Sequence, residues 1–189
     1  MGRTDEELIA EYLTGNEDAF ALLVQRHLKS VYSFAARSVG DEAEDVVQDT
    51  FLKVWKNLKK YDSSNAKFKT WLMHIARNTA IDYLRKKKSF VFSDIEREYG
   101  DAEILNVVDP EDLPDEIVAR THDALYVEAL FKKLTPEYRE VLLLRYMNQM
   151  TFEEISKIID EPINTVRSRH HRGLIKLRQY LDNMHQNGT

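Results

Sequence analysis

Cysteine is absent from the 189-residue chain, which excludes disulfide scaffolds, thiolate metal sites and thiol nucleophiles. Glycine and proline are scarce, at 6 and 4, which argues against a turn-rich β protein or a glycine-rich nucleotide fold. No apolar run approaches the roughly 18 residues of a membrane span. The segment Met1–Glu7 is polar and acidic rather than basic then apolar, so it does not read as a secretory signal. G-x-G-x-x-G, the P-loop, G-x-S-x-G and H-E-x-x-H are all missing. The 43% hydrophobic content supports a core in one domain or two small ones. Together these features predict a soluble, cytoplasmic, all-α protein with no catalytic signature, cofactor or membrane association.

The net charge of −5 is unevenly spread. Residues 1–88 hold 15 basic and 13 acidic side chains, residues 89–123 hold 2 and 11, and residues 124–189 hold 10 and 8. An acidic strip thus separates two mildly basic segments. It carries Pro110 and Pro114 and has no helical or strand period, so 89–122 reads as a flexible linker between two domains.

Capping signals punctuate the rest. Thr4-Asp5-Glu6-Glu7 is a capping box, and Gly15 closes that short helix. Asn16 is placed to cap a second helix ending near Gly40. Asp41-Glu42-Ala43-Glu44 opens a third to about Lys59, with Val47, Phe51, Val54 and Leu58 as its core stripe. A polar loop from Tyr61 to Lys67 leads to a fourth helix over Phe68–Lys88. Beyond the linker, Asp123 is placed to cap a helix to Leu134, and Thr135-Pro136 opens one to about Tyr146. Thr151-Phe152-Glu153-Glu154 is a second capping box, and Pro162 starts a last helix to about Leu181.

A short helix, a tight turn and an arginine-rich helix are the pattern of a helix-turn-helix. At 100° per residue, Ile163, Val166, His170, Leu174 and Leu177 share the inner face of the last helix, and Asn164, Arg167, Ser168, His171 and Arg172 the outer one. Arginine on the outer face can bind guanine bidentately in the major groove, and neighbouring cations can hold phosphates. The plain alternative is a solvated basic face on a helical hairpin. His170 and His171 are adjacent and lack a helical i+4 ligand partner, so neither reads as a metal ligand; His170 is expected to be semi-buried and hydrogen-bonded.

In the N-terminal segment, Asp45, Gln48, Asp49 and Leu52 form a polar face with one exposed leucine, flanked by Lys53 and Lys56. Such a face suits a protein interface or merely a solvated surface. The loop and fourth helix interleave aromatics with cations: Tyr61, Lys67, Phe68, Lys69, Trp71, Arg77, Asn78, Tyr83 and Arg85 to Lys88. Aromatics can stack on unpaired bases while cations track phosphates, although Phe68 and Trp71 equally suit a core.

Three blocks, in this order, resemble the extracytoplasmic-function (ECF) class of bacterial sigma factors. They are Asp45–Trp55, Phe68–Arg85, and Leu134–Val141 with Thr165–Arg169. The resemblance implies a region 2 bundle over 1–88, a linker over 89–122, a region 4 helix-turn-helix over 123–182 and a tail over 183–189. It implies a transcription initiation factor that binds core RNA polymerase and directs it to promoters. Asp45, Gln48, Asp49 and Leu52 would dock on the β′ clamp helices, and region 4 would meet the β flap. Lys67, Phe68, Lys69, Trp71, Arg77, Asn78, Asp82 and Arg85 would serve the −10 element, with the 61–67 loop capturing an unpaired base. Thr165, Arg167, Ser168, His171 and Arg172 would serve the −35 element. The linker would thread toward the active-centre cleft. The resemblance also implies an anti-sigma factor, promoter DNA as partner, and a monomeric free state. A chain of net charge −5 is expected to bind duplex DNA weakly alone.

Two departures stand out. The family usually carries a leucine-like residue where His170 stands and alanine where Gly173 stands. Each is expected to weaken the last helix, the glycine by about 1 kcal/mol. Three rival functions are also considered. A polymerase-independent helix-turn-helix regulator leaves Asp45–Leu52 and the fourth helix idle. A sigma mimic that sequesters an anti-sigma factor would be expected to carry a receiver domain. An enzyme would need catalytic groups that the sequence does not display.

Overall fold

The computed structural model describes residues 2–90 and 129–186, and every regular element in them is helical. The N-terminal group comprises α1 (Asp5–Leu13), α2 (Glu17–Val39), α3 (Ala43–Asn57) and α4 (Phe68–Phe90). Short 3-10 turns at Gly40–Glu42 and Leu58–Lys60 flank α3. The C-terminal group begins with helical residues 129–132 and continues through α5 (Pro136–Leu142), a π turn (Leu143–Met147), α6 (Phe152–Ile159) and α7 (Ile163–Gln186). The expected linker and the Asp123 cap lie outside the described residues.

Both capping boxes form. The Thr4 hydroxyl accepts the Glu7 N–H at 3.1 Å while the Glu7 carboxylate accepts the Thr4 N–H at 2.6 Å. Thr151 and Glu154 repeat this at 3.1 and 2.9 Å. Each such cap stabilises its helix by about 1 kcal/mol. Asn16 corrects the expectation: it precedes α2 but makes no cap bond, and its amide turns back to Glu11 at 3.0 Å. Thr135 likewise makes no side-chain cap bond, and Pro136 at the first helical position sets the entry to α5. Gly40 leaves α2 at φ 73°, a left-handed conformation that a side chain would strain.

The α3 stripe is buried at Val47, Val54 and Leu58, while Phe51 is only partly covered. Val46 and Thr50 complete the inner face, the Thr50 hydroxyl donating to the Val46 carbonyl at 2.6 Å so that no polar group is stranded. Two clusters of buried side chains result. One lies within the C-terminal group, among Leu130, Phe131, Leu134, Leu142, Leu143, Leu174, Leu177 and Leu181. The other begins in the α1–α4 bundle and does not stop at its surface. Val141, Leu144, Met150, Ile155, Ile158, Ile159 and Val166 belong to the same buried cluster as Leu72, Met73 and Ala76 of α4.

The two groups are therefore packed against each other. The isoleucines of α6 are buried with α4 rather than in the leucine cluster. Complete burial of each is worth about 1.5–3 kcal/mol.

Candidate functional site

The helix-turn-helix is built by α6, a turn at Asp160–Pro162 and α7. Asp160 adopts a left-handed conformation at φ 56°, which stops α6, and the Ser156 hydroxyl donates to the Glu161 carbonyl across the turn at 2.6 Å. The Pro162 carbonyl then accepts the N–H groups of Thr165 and Val166, starting α7. Val166, His170, Leu174 and Leu177 are buried as the helical period requires, and Ile163 is partly buried. On the opposite face, Asn164 and Arg167 are exposed and Thr165, Ser168, His171 and Arg172 are partly exposed. Arg169 is drawn sideways to Glu161 at 3.0 Å. The Phe152 ring lies 4.9 Å from the Arg145 guanidinium and 5.9 Å from that of Arg167, orienting the latter.

His170 is 3% exposed, hydrogen-bonded to the Tyr146 hydroxyl at 2.9 Å, stacked on that ring and edge-on to Phe152. The polar ring is thus accommodated rather than stranded. Gly173 is also explained by its surroundings. A Cβ there would lie 3.0 Å from Leu142 Cδ1, so the bare backbone lets α5 approach α7 closely.

A second exposed face runs along α3. Asp45, Gln48 and Leu52 are exposed, and Asp49 is partly covered because its carboxylate accepts the Tyr83 hydroxyl at 2.9 Å. That carboxylate, with burial and Asp45 adding, raises the Tyr83 hydroxyl above its usual pKa. Beside them lies an apolar groove, floored by Phe20, Val24, Val47 and Phe51 and edged by Leu28, Tyr32 and Trp55. Leu28, Tyr32, Leu52 and Trp55 are 44–50% exposed, an unusual concentration of apolar surface. Trp55 donates to the Tyr12 hydroxyl at 2.6 Å, which fixes its ring on the rim. Sequence reasoning missed the α2 half of this groove. The signal was Phe20, Val24, Leu28 and Tyr32 at steps of four, a stripe larger than a four-helix core uses.

The third region is α4 and its entry loop. Asp62 organises the loop, accepting from the Ser64 N–H and the Asn65 amide, each at 2.9 Å. Phe68 is 1% exposed and enclosed by His27, Tyr61 and Trp71. It is a core residue and presents no ring for stacking. Trp71 is partly exposed, 5.4 Å from the Tyr61 ring. Asn78, Asp82 and Arg85 are exposed, and Lys53 reaches Thr79 and Asp82 at 3.0 and 3.4 Å. Lys67, Lys69 and Arg77 instead meet the C-terminal group, at Glu154, the Asn148 carbonyl and Glu140 respectively.

Residues 23–90 match sigma-70 region 2, and residues 124–177 match sigma-70 region 4. The ECF RNA polymerase sigma factor SigW of Bacillus subtilis is 34% identical over 177 residues, covering 92% of this chain and 94% of that protein. The chain belongs to the ECF sigma factors. The ECF sigma-E factor of Escherichia coli K12 is 33% identical over 192 residues, covering 95% of this chain and 93% of its own. The solved structure of CnrH with the cytosolic domain of CnrY superposes at a TM-score of 0.67 with 28% identity, over 96% of this chain and 99% of that one.

As a sigma factor the chain is a non-enzymatic initiation factor that directs RNA polymerase to promoters. In this frame region 2 runs from within α2 through α4, and α5, α6 and the first two-thirds of α7 lie in region 4. Among the described residues no helix is long and apolar enough to cross a membrane, and no cluster of potential metal ligands is present.

Proposed function

We propose that this sigma factor grips core polymerase through the α3 face and reads promoters at both ends. The observation that carries the proposal is the apolar groove rimmed by Leu52 and Trp55 and bordered by Asp45, Gln48 and Asp49. Apolar side chains held at about half exposure, with acids and an amide beside them, suit a helical partner bearing apolar and basic groups. The β′ clamp helices are the partner the family implies, with region 4 on the β flap. Domain limits of 1–88, 89–122 and 123–182 follow from this division of labour.

In the −10 contact, the 61–67 loop, Lys67, Lys69, Trp71, Arg77, Asn78, Asp82 and Arg85 would hold an unpaired strand, with Phe68 supporting the aromatic cluster from inside. At the −35 element, Thr165, Arg167, Ser168, His171 and Arg172 would enter the major groove from the start of α7. Work alongside polymerase places the chain in the cytoplasm. A restraining protein partner is part of the proposal, supported by CnrH having been solved with the cytosolic domain of CnrY.

Run-off transcription with purified core polymerase on pooled genomic promoter fragments tests the whole reading. Discrete starts that depend on this chain, with shared upstream elements, support it. Tight duplex binding by the chain alone, without transcription, would favour a polymerase-independent regulator. Neither activity, together with capture of an anti-sigma factor, would favour a sequestering mimic.

A further inference from the structure

The rim of the α3 groove is braced by a helix that lies before the span matched to region 2. That match begins at residue 23, and α1 ends at Leu13. Yet Tyr12, in the last turn of α1, accepts the indole N–H of Trp55 at 2.6 Å. The Tyr12 ring also lies 5.3 Å from that of Phe20 on the groove floor, tilted by 43°. One side chain thus touches both the floor and the rim. Its own place is set by the anchoring of α1. Leu8 and Ile9 are buried in the bundle core. The Asp5 carboxylate accepts from Arg26 at 2.6 Å and pairs with His27 at 2.8 Å, tying α1 to α2. Arg3 meets Glu11, the neighbour of Tyr12, at 2.7 Å.

The bond matters because Trp55 is 50% exposed and stands where a partner would cover it. Immobilising a free side chain on binding costs entropy. Burying an indole N–H with no acceptor costs free energy as well. Tyr12 lowers both costs in advance. It holds the ring in one orientation, and it satisfies the ring's single polar group from within the chain. An apolar partner surface can then close over Trp55 without stranding a donor. Tryptophan is over-represented among the few side chains that carry most of the energy of an interface, and a preorganised one loses least on binding.

We propose that Tyr12 is a positioning residue for polymerase docking: its hydroxyl presents Trp55, already oriented and with its N–H already bonded, to the helical partner that enters the α3 groove. The inference rests on the docking role of that groove proposed above. Tyr12 acts through Trp55 rather than through a contact of its own, and α1 thereby becomes part of the docking apparatus. The effect belongs to the hydroxyl alone, because the Tyr12 ring would pack on Phe20 equally well without it.

Tyr12→Phe keeps the ring and removes the acceptor. In competition with labelled wild-type chain for core polymerase it is expected to bind about five- to tenfold more weakly, with the melting temperature unchanged. In a Trp55→Phe chain, which has no indole N–H, adding Tyr12→Phe is expected to change polymerase affinity no further. The chain has two tryptophans, so the nitrogen–proton NMR spectrum of the free protein holds two indole signals, and the one lost in Trp55→Phe belongs to Trp55. Tyr12→Phe should shift that signal and speed its exchange with solvent. Undiminished competition by Tyr12→Phe overturns the proposal. So does an indole signal that Tyr12→Phe leaves in place, or a loss of the same size in the Trp55→Phe background. Trp55→Ala and Leu52→Asp separate this outcome from the docking reading. If both weaken competition and Tyr12→Phe does not, the groove docks polymerase and Tyr12 has no positioning role. If neither weakens it, the docking reading fails and the proposal fails with it, whatever the indole signal shows.

Discussion

Replacing Gly173 by alanine sets helix propensity directly against packing. Gly173 lies inside α7, where alanine is favoured by about 1 kcal/mol in an open helix. The added Cβ would sit 3.0 Å from Leu142 Cδ1, 3.3 Å from Leu142 Cγ and 3.4 Å from Tyr138 Cβ. Leu142 is 0% exposed, in a cluster with Leu143, Leu174 and Leu177, so it has little free volume to retreat into. Overpacking of this kind costs about 1–3 kcal/mol, which outweighs the propensity gain and leaves a net loss of about 1 kcal/mol. Urea denaturation of the full chain, followed by circular dichroism, measures the sign. The double variant with Leu142→Val isolates the cause: with room made beside α7, the same alanine should stabilise relative to Leu142→Val alone. A Gly173→Ala chain more stable than wild type by about the full propensity difference would refute the packing argument.

Leu52→Asp places a charge on the rim of the apolar groove. It should weaken binding to core polymerase by about 2 kcal/mol, near thirtyfold, while shifting the melting temperature little, because Leu52 is 47% exposed. Competition with wild type for core polymerase measures the first and a thermal melt the second; undiminished competition would refute the docking face. Arg167→Ala should cost the holoenzyme about 1–3 kcal/mol on its promoter and relax preference at one base pair of the −35 element, checked by selection from randomised sites. Asp5 links acid sensitivity to the α1–α2 contact. Burial pushes its carboxyl up, but hydrogen bonds from His27 and Arg26 outweigh this and hold it below the usual 3.8. Its stabilising contribution is present above that value and is lost as pH falls through the lower folded-state pKa. Asp5→Asn should therefore lower stability at neutral pH by about 1–2 kcal/mol and flatten the decline between pH 4 and 2, as read by urea titrations across pH.

Several features were legible in the sequence because their causes are local. Thr4 and Thr151 cap as their spacing with Glu7 and Glu154 dictates, since a capping box closes within four residues. The two faces of α7 separate as the 100° step requires, with Val166 and His170 inward and Arg167 outward. His170 is expected from the sequence to be semi-buried and hydrogen-bonded; it is fully buried, and its partner Tyr146 is not legible there. Asn16 shows the limit even of local signals: its amide donates to Glu11, and its side chain accepts no N–H of α2.

Tertiary structure alone decided the rest, because the deciding atoms are far apart along the chain. Gly173 reads as a weak point in the helix until Leu142, thirty-one positions earlier, is found against it. Lys69 and Arg77 read as phosphate ligands until Asn148 and Glu140 accept their protons' hydrogen bonds. The α6 isoleucines are equally apolar to any partner, since the hydrophobic effect carries no direction. Only the tertiary structure shows that α4 is the surface that buries them.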